Sequence, residues 1–375
     1  MGDTVWSRCL RRLWDRAGIQ LCVSRPHHFQ GAQFDKDGLQ VRHCRAIELF
    51  YYTSFRRYLS AFFRQCDDRE NRIATRRCGQ RLYFKQTLGI QMITFSPVGV
   101  EQDRLQRYQE LFLKCFPAST KFGAAFLRWL YKDNPDGKVI GFDAFDGDRL
   151  AAHYVCIPAT VRVGGAPVRA LLSLNTATHP DYQGQGLFTK LAEMTYRTGA
   201  ELGFHCVYGV ANANSTPGFV RKLGFQLVQP LDAMVGIGRL GIDFSQVSRD
   251  AQFERIWTPE SLKWRCSNPV NPVHGFDLAD RLGLYAQASG RLLSAYTELP
   301  FPADPCIAGH GGPRSPLRLY LGLVPGASHR FSTYAHIPQR LRPSPLNMIY
   351  RPLDTQGTTL DRDHIHFTFL DFDAY

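Results

Sequence analysis

Apolar positions first become periodic near residue 93. The run MITFSPVGVEQDRLQRYQELFLKCF opens as a short strand and then turns helical. From about Asp103 to Phe116, the residues Leu105, Tyr108, Leu111 and Phe112 recur on one face. GAAFLRWLYKD predicts a second, short helix that Asn134-Pro135 stops. The period then shortens to that of strands. KVIGFDAF and RLAAHYVCIP flank Asp146-Gly147-Asp148, and TVRV and PVRALLSLNTAT flank Gly164-Gly165-Ala166. Both are hairpin signals, so an antiparallel meander leads to His179. A helix is expected from Gly186 to Leu202, with Leu187, Leu191, Met194 and Thr198 inward. After it come a strand, HCVYGVAN, a short helix, TPGFVRKL, closed by Gly224, and two strands in FQLVQPLDAMVGIGRL. This order predicts a mixed α+β domain rather than a doubly wound one.

The pattern then starts again. FERIWTPESLKWRCSNPVNPVHGFDLADRLGLYAQASGRLLSAYTELP echoes FGAAFLRWLYKDNPDGKVIGFDAFDGDRLAAHYVCIPA. In each, a Trp-bearing helix ends at Asn-Pro (Asn134-Pro135, Asn268-Pro269), and two strands follow around a turn with Gly147 or Gly290. That reads as an internal repeat whose alignment slips by one residue at the tryptophan. PLRLYLGLV, PLNMIYRPL and HIHFTFLDFDAY alternate as further strands. One domain is expected over 92–242 and a second over 250–375, sizes usual for domains.

Composition changes the picture mainly at the N-terminal end. Residues 1–91 hold 17 Lys and Arg against 8 Asp and Glu, most of the chain's surplus of 12, and five of its ten cysteines. IELFYYTSFRRYLSAFF would suit a basic amphipathic helix, but SRPHHFQGAQFDKDGLQ and DDRENRIATRRCGQR fit neither a helical nor a strand template. This segment is expected to lie outside the folded domains, as a disordered arm or as sequence upstream of a natural start at Met92. No apolar run is long enough to span a membrane, and MGDTVWSRCLRRLWDRAG lacks the apolar centre of a secretory signal. The cysteines show neither CxxC nor zinc spacing. They read as reduced thiols of a cytoplasmic protein without a metal site, and no nucleic-acid partner is expected.

The candidate chemistry sits in HPDYQGQGLFTKL, where the meander ends and a helix starts. A helix N-terminus presents unpaired N–H groups and partial positive charge, and anions bind there. Glycine lets backbone approach such an anion closely. A lone GxG would be only a tight turn, but NANSTPGFVRKLGF follows at the next strand–helix junction. Together the two landmarks resemble the Gcn5-related N-acetyltransferase (GNAT) superfamily, whose acyl-CoA motif is Q/R-x-x-G-x-G/A. Gln183, Gly184, Gln185 and Gly186 are set on the first four places of that motif, with Leu187 next; Phe188 departs from its final Gly/Ala. The resemblance covers about Met92 to Leu240. It implies a GNAT fold, a mostly antiparallel twisted sheet flanked by helices, with acetyl-CoA or another short acyl-CoA as cofactor. It further implies that Thr176, Ala177 and Thr178 bond the pantetheine arm from a splayed strand, and that Asn212 and Asn214 lie near the cofactor or an active-site water.

The resemblance does not carry over its usual proton-transfer groups. Val220 stands where the family's tyrosine acid is expected, and Ser173 to Thr176 lack the usual strand carboxylate. Asn175 is taken as the residue that positions water or substrate, and Tyr208 as the proton donor; Tyr182, His179, His153 and Asp232 are nearby in the chain. The second domain lacks the motif and is expected to shape the acceptor cleft, with Phe369, Phe372, Asp371 and Asp373 near it. The implied activity is N-acylation of a primary amine on a small molecule, a nucleotide-linked amino sugar by analogy, for which Arg318, Arg330, Arg340 and Arg342 would suit the anionic part. A non-catalytic acyl-CoA sensor or scaffold and a protein lysine acetyltransferase stand as alternatives. Neither the acceptor nor the oligomeric state follows from the sequence.

Overall fold

The computed structural model describes residues 92–289, 292–300, 311–326, 328–342, 344–354, 357 and 359–374. The expectations for residues 1–91 and for Gly290 fall outside the described residues. The first half runs β1 (Ile93–Pro97), α1 (Gln102–Cys115), α2 (Ala124–Tyr131), β2 (Ile140–Asp146), β3 (Arg149–Val163), β4 (Ala166–Thr178), α3 (Leu187–Glu201), β5 (Cys206–Ala211), α4 (Thr216–Leu223), β6 (Gln226–Pro230) and β7 (Asp232–Ile237). The second half continues with α5 (Phe244–Asp250), β8 (Phe253–Arg255), α6 (Pro259–Cys266), β9 (His274–Asp277), β10 (Arg281–Ser289), β11 (Leu293–Pro300), β12 (Leu317–Leu323), β13 (Tyr334–His336), β14 (Asn347–Pro352) and β15 (Phe367–Thr368).

Two mixed, mostly antiparallel sheets result. The first has the order β1-β2-β3-β4-β5-β14-β6, with β8 joined to β3. The second has the order β13-β7-β12-β11-β10-β9, with β15 joined to β12. Read in reverse, the second order matches the first from β2 onward, with no counterpart for β1, and each contains one parallel pair, β4 with β5 and β11 with β12. One strand of each half crosses over. β14 pairs antiparallel with β5 and β6, and β7 pairs antiparallel with β12 and β13. The division expected between 242 and 250 is therefore crossed by two strands, one in each direction.

Helices cover both faces of the first sheet. The face of α1 carrying Leu105, Tyr108, Leu111 and Phe112 is buried as its period requires. It joins α2 and one side of the sheet, through Leu172, Tyr208 and Met348, in a core that continues into the second sheet through Leu284, Ala295 and Leu319. α3 and α4 pack on the other side, over Tyr154, Leu171, Val207 and Ile349. α3 buries Leu187, Leu191, Ala192, Thr195, Tyr196 and Gly199, while Met194 and Thr198 are only half-buried. The inward stripe is rotated from the expected one because α3 approaches the sheet closely at Gly199, where a Cβ would stand 2.7 Å from Leu171 Cδ1.

The internal repeat is real, but its turns correspond differently from the sequence expectation. Gly147 separates β2 from β3. The counterpart of the Gly147 turn is at Ala279, which takes φ 71° between β9 and β10. β10 is 9 residues long against 15 for β3, which brings the two hairpins together in sequence and misaligns them. The chain end also differs: beyond the two residues of β15, Phe369–Asp371 is a 3₁₀ turn capped by Thr368.

Candidate active site

The parallel ladder between β4 and β5 runs from Ala170 opposite Cys206 to Ser173 opposite Gly209 and stops there. Both strands continue, so Leu174 to Thr178 leave their β5 side open. On the β3 side the register passes from Val155–Leu174 to His153–Ala177, one extra residue on β4. Asn175 fills that bulge with φ 47°. A bulge of this kind re-aims the side chain it carries, and a non-glycine residue at positive φ is strained unless its surroundings hold it.

A buried chain of hydrogen bonds holds it. Asn175 Nδ2 donates to Tyr131 Oη at 3.1 Å. Tyr131 Oη lies 3.0 Å from His153 Nε2, and His153 Nδ1 lies 2.7 Å from Asp143 Oδ1. Asp143 Oδ2 accepts from Tyr108 Oη at 2.7 Å and from Arg104 at 3.3 Å. Asp143, His153, Tyr131 and Tyr108 are all at most 1% exposed. With its ring placed between carboxylate and phenol, His153 suits the tautomer that donates from Nδ1 and accepts at Nε2. Burial, and Asp143 beside it, push the Tyr108 phenol well above its ordinary value, and burial does the same for Tyr131. Both phenols stay protonated and can donate.

The glycine loop lies beyond the open strand edge. His179 to Tyr182 form a turn: the His179 ring accepts from the Asp181 amide and faces Arg149. Gln183 Nε2 donates to the Thr178 carbonyl at 3.5 Å. Gly184 and Gly186 have φ 79° and 76°, with no atom within 4 Å of an added Cβ at either. Gly186 caps α3, and Gln183 to Gly186 are exposed. The first turn of α3 leaves N–H groups with no intrahelical partner, so the open, left-handed glycines and the helix end form a surface an anionic ligand can approach. Phe188 is turned away from it, edge-on to Phe219 at 5.3 Å and to Tyr154 at 5.9 Å. Gly218 makes room: a Cβ there would stand 3.2 Å from the Phe188 ring.

The remaining expected residues fall into other places. Thr176 and Thr178 are half-buried on the open edge and Ala177 is buried. Asn212 shapes the turn that leads into α4: its Oδ1 accepts from the Asn214 and Ser215 amides and its carbonyl from the Thr216 amide. Asn214 is exposed in the same turn. Tyr208 is fully buried against Phe253 and Phe367, and its oxygen accepts from Arg255 at 3.4 Å. Tyr182 Oη donates to Asp146, and Asp232 is half-exposed in the second sheet. Arg318 and Arg342 spend guanidinium groups on the carbonyls of Gly238, Leu231 and Ile337. Sequence reasoning named His153 but missed Asp143, Tyr131 and Tyr108. The signal available was a carboxylate, Asp143, in the apolar strand run VIGFDAF.

Residues 99–228 match the family model described as an acetyltransferase (GNAT) domain. No curated protein sequence matches the chain. Among solved structures, a protein of unknown function from Enterococcus faecalis V583, titled a probable N-acyltransferase, is similar with TM-score 0.50 and 12% identity over 71% of this chain and 74% of that one. Eis1 from Mycobacterium abscessus aligns with TM-score 0.47 and 13% identity over 71% and 74%. The first likeness shows the fold. Among the described residues no helix is long and apolar enough to cross a membrane.

Proposed function

Through residues 99–228 this chain belongs to the GNAT superfamily, and from that premise we propose that it transfers an acyl group from acyl-CoA to a primary amine on a small molecule. The observation that carries the reading is the coincidence of an interrupted β4–β5 ladder with a left-handed glycine loop at the start of α3. When bound, acyl-CoA supplies an activated thioester. The amides from Gln183 to Phe188 would hold its pyrophosphate, and the main chain of Thr176, Ala177 and Thr178 would bond its pantetheine arm.

The protein's own part is orientation. Asp143 and His153 fix Tyr131, and Tyr131 takes one end of the Asn175 amide. The amide oxygen is left to accept from the incoming amine or from a water beside it. Tyr208 is assigned to the wall behind Arg255 rather than to proton transfer, since it is fully buried against Phe253 and Phe367. A sensor that binds acyl-CoA without turnover would not need the strained, anchored Asn175. Of the arginines set against the anionic part of a nucleotide-linked amino sugar, Arg318 and Arg342 bond main-chain carbonyls.

Calorimetric titration of acetyl-CoA into the full chain is the test. Micromolar binding is expected. Gly186→Glu puts a carboxylate where the pyrophosphate would lie and should weaken binding by about 100-fold or more, given the usual size of a desolvated charge clash. Wild-type affinity in that variant would remove the loop from the cofactor site.

A further inference from the structure

Hydrogen-bond direction in the buried chain behind Asn175 is fixed at its far end. Asp143 accepts at both oxygens, at Oδ1 from His153 Nδ1 at 2.7 Å and at Oδ2 from Tyr108 at 2.7 Å and Arg104 at 3.3 Å. A carboxylate has no hydrogen to give, so His153 Nδ1 is a donor whether the ring is neutral or charged. The imidazole can therefore gain a proton only at Nε2, the atom 3.0 Å from Tyr131 Oη. Around this ring, α1 supplies the Tyr108 and Phe112 rings, α2 supplies Tyr131, β2 supplies Asp143, and β4 sets Ala177 opposite. Two charged groups act on its neighbours, Arg104 on Asp143 and Asp373 on Tyr131.

Among the described residues, Tyr131 Oη has two hydrogen-bond partners, His153 and Asn175. Burial pushes the phenol well above its ordinary value, so it keeps its one hydrogen. With His153 neutral, that hydrogen goes to Nε2 and the phenol oxygen accepts from Asn175 Nδ2 at 3.1 Å. Asn175 Oδ1 is then left on the side away from Tyr131. With Nε2 protonated, the phenol oxygen accepts from the ring, and its own hydrogen needs another acceptor. An amide NH₂ group cannot accept, and Tyr131 is fully buried. An unturned Asn175 would leave a buried O–H without a partner, which folded proteins avoid. Turning the amide over sets Oδ1 on the phenol and Nδ2 on the far side.

We infer that His153 is a positioning residue whose protonation reverses the polarity of the group Asn175 presents, an acceptor when the ring is neutral and a donor when it is charged. The reversal stands on the hydrogen-bond chain alone; its use in turnover rests on the acyltransferase reading above. An attacking amine has N–H groups to donate, so the neutral ring suits it and the charged ring does not. Acyl-CoA, on that reading, is held by main-chain groups, which the turn of one side chain leaves in place.

The test uses the full chain, labelled with nitrogen-15, and nuclear magnetic resonance across the range in which imidazoles titrate, about pH 8 to 5. Neutral His153 should show the Nδ1–H tautomer. Its protonation should weaken the nuclear Overhauser contacts between the Asn175 amide hydrogens and the Tyr131 ring, with one midpoint for both events. In Tyr131→Phe, His153 should still titrate with no response at Asn175; the wild-type titration decides the matter even where that variant does not fold. Acetyl-CoA affinity should stay within about twofold across the range, while kcat for a primary amine falls about tenfold per pH unit below the midpoint. An Nε2–H tautomer, an imidazole that never charges before the protein unfolds, Asn175 signals that hold still while His153 titrates, or a kcat unchanged through the midpoint would each overturn the inference and leave the acyltransferase reading intact. Coupled titration in a protein that binds no acetyl-CoA would instead overturn that reading and leave the side-chain reversal standing.

Discussion

Asn175 pairs a strained backbone with a side chain tied to three buried groups in series, and that combination makes its role testable. Tyr131→Phe removes the acceptor that holds the Asn175 amide and deprives His153 Nε2 of its partner. Turnover should fall about 10- to 100-fold, the usual result of loosening an oriented group, while acetyl-CoA affinity stays within about twofold. Tyr208→Phe should cost less than about tenfold in kcat, or 1.4 kcal/mol; a larger loss would return Tyr208 to the chemistry. A different residue governs acid stability. Burial holds the His366 imidazole below its ordinary value, so the unfolded chain binds a proton more readily than the folded one. The sign follows: stability is full above the unfolded value of about 6.5 and is lost as pH falls through it toward the lower folded value. Thermal melts should show Tm dropping below about pH 6.5, with a shallower drop in His366→Gln. At this scale the glycine loop was legible because its residues are neighbours in sequence. The Asp143–His153–Tyr131 chain was not, because α2, β2 and β3 bring its members together only in the fold.

Among elements, α2 and α6 give the clearest evidence of the repeat. Trp129 Nε1 donates to the Trp264 carbonyl at 2.9 Å, Trp264 Nε1 donates to the Trp129 carbonyl at 3.0 Å, and the rings stack at 4.9 Å. Such a reciprocal pair is what two copies of one helix make when they meet across a pseudo-two-fold axis. Asn134 and Asn268, both buried at the Asn-Pro stops, accept equivalent amides two residues on, from Asp136 and Val270. Trp264→Phe strands one buried carbonyl and loses one stack, for which about 1–3 kcal/mol is expected. Trp129→Phe should cost a similar amount, and the double variant less than the sum, since the two share one contact; urea unfolding of the three variants measures the coupling. The long elements of the first half were legible because each buries a clean stripe or hairpin face. β8 and β13, three residues each, were invisible because so short a stretch shows no period and is fixed by the strands beside it.

For the whole molecule, the exchange of β7 and β14 decides how the halves depend on each other. Hydrophobic alternation on β14 specifies two buried faces, with Met348 and Tyr350 in one core and Ile349 in the other. The strand could satisfy that pattern in either sheet, so the sequence is silent on which one receives it. In the fold β14 sits between β5 and β6, and β7 joins β12 to β13. Either half alone would lack an internal strand and expose two unpaired edges. The expected consequence is asymmetric between cutting and separating. A protease site inserted near Asp250, in the folded full chain, should be cleavable with the two fragments still co-eluting and still binding acetyl-CoA, because ladders rather than the connection hold them. Residues ending at Asp250, produced alone, should aggregate or elute as a β7-mediated oligomer, and should recover acetyl-CoA binding when refolded with the complementary fragment. A soluble, monomeric, acetyl-CoA-binding first half would mean that β7 can fold back into the place of β14, and the exchange would then be one of two alternative pairings.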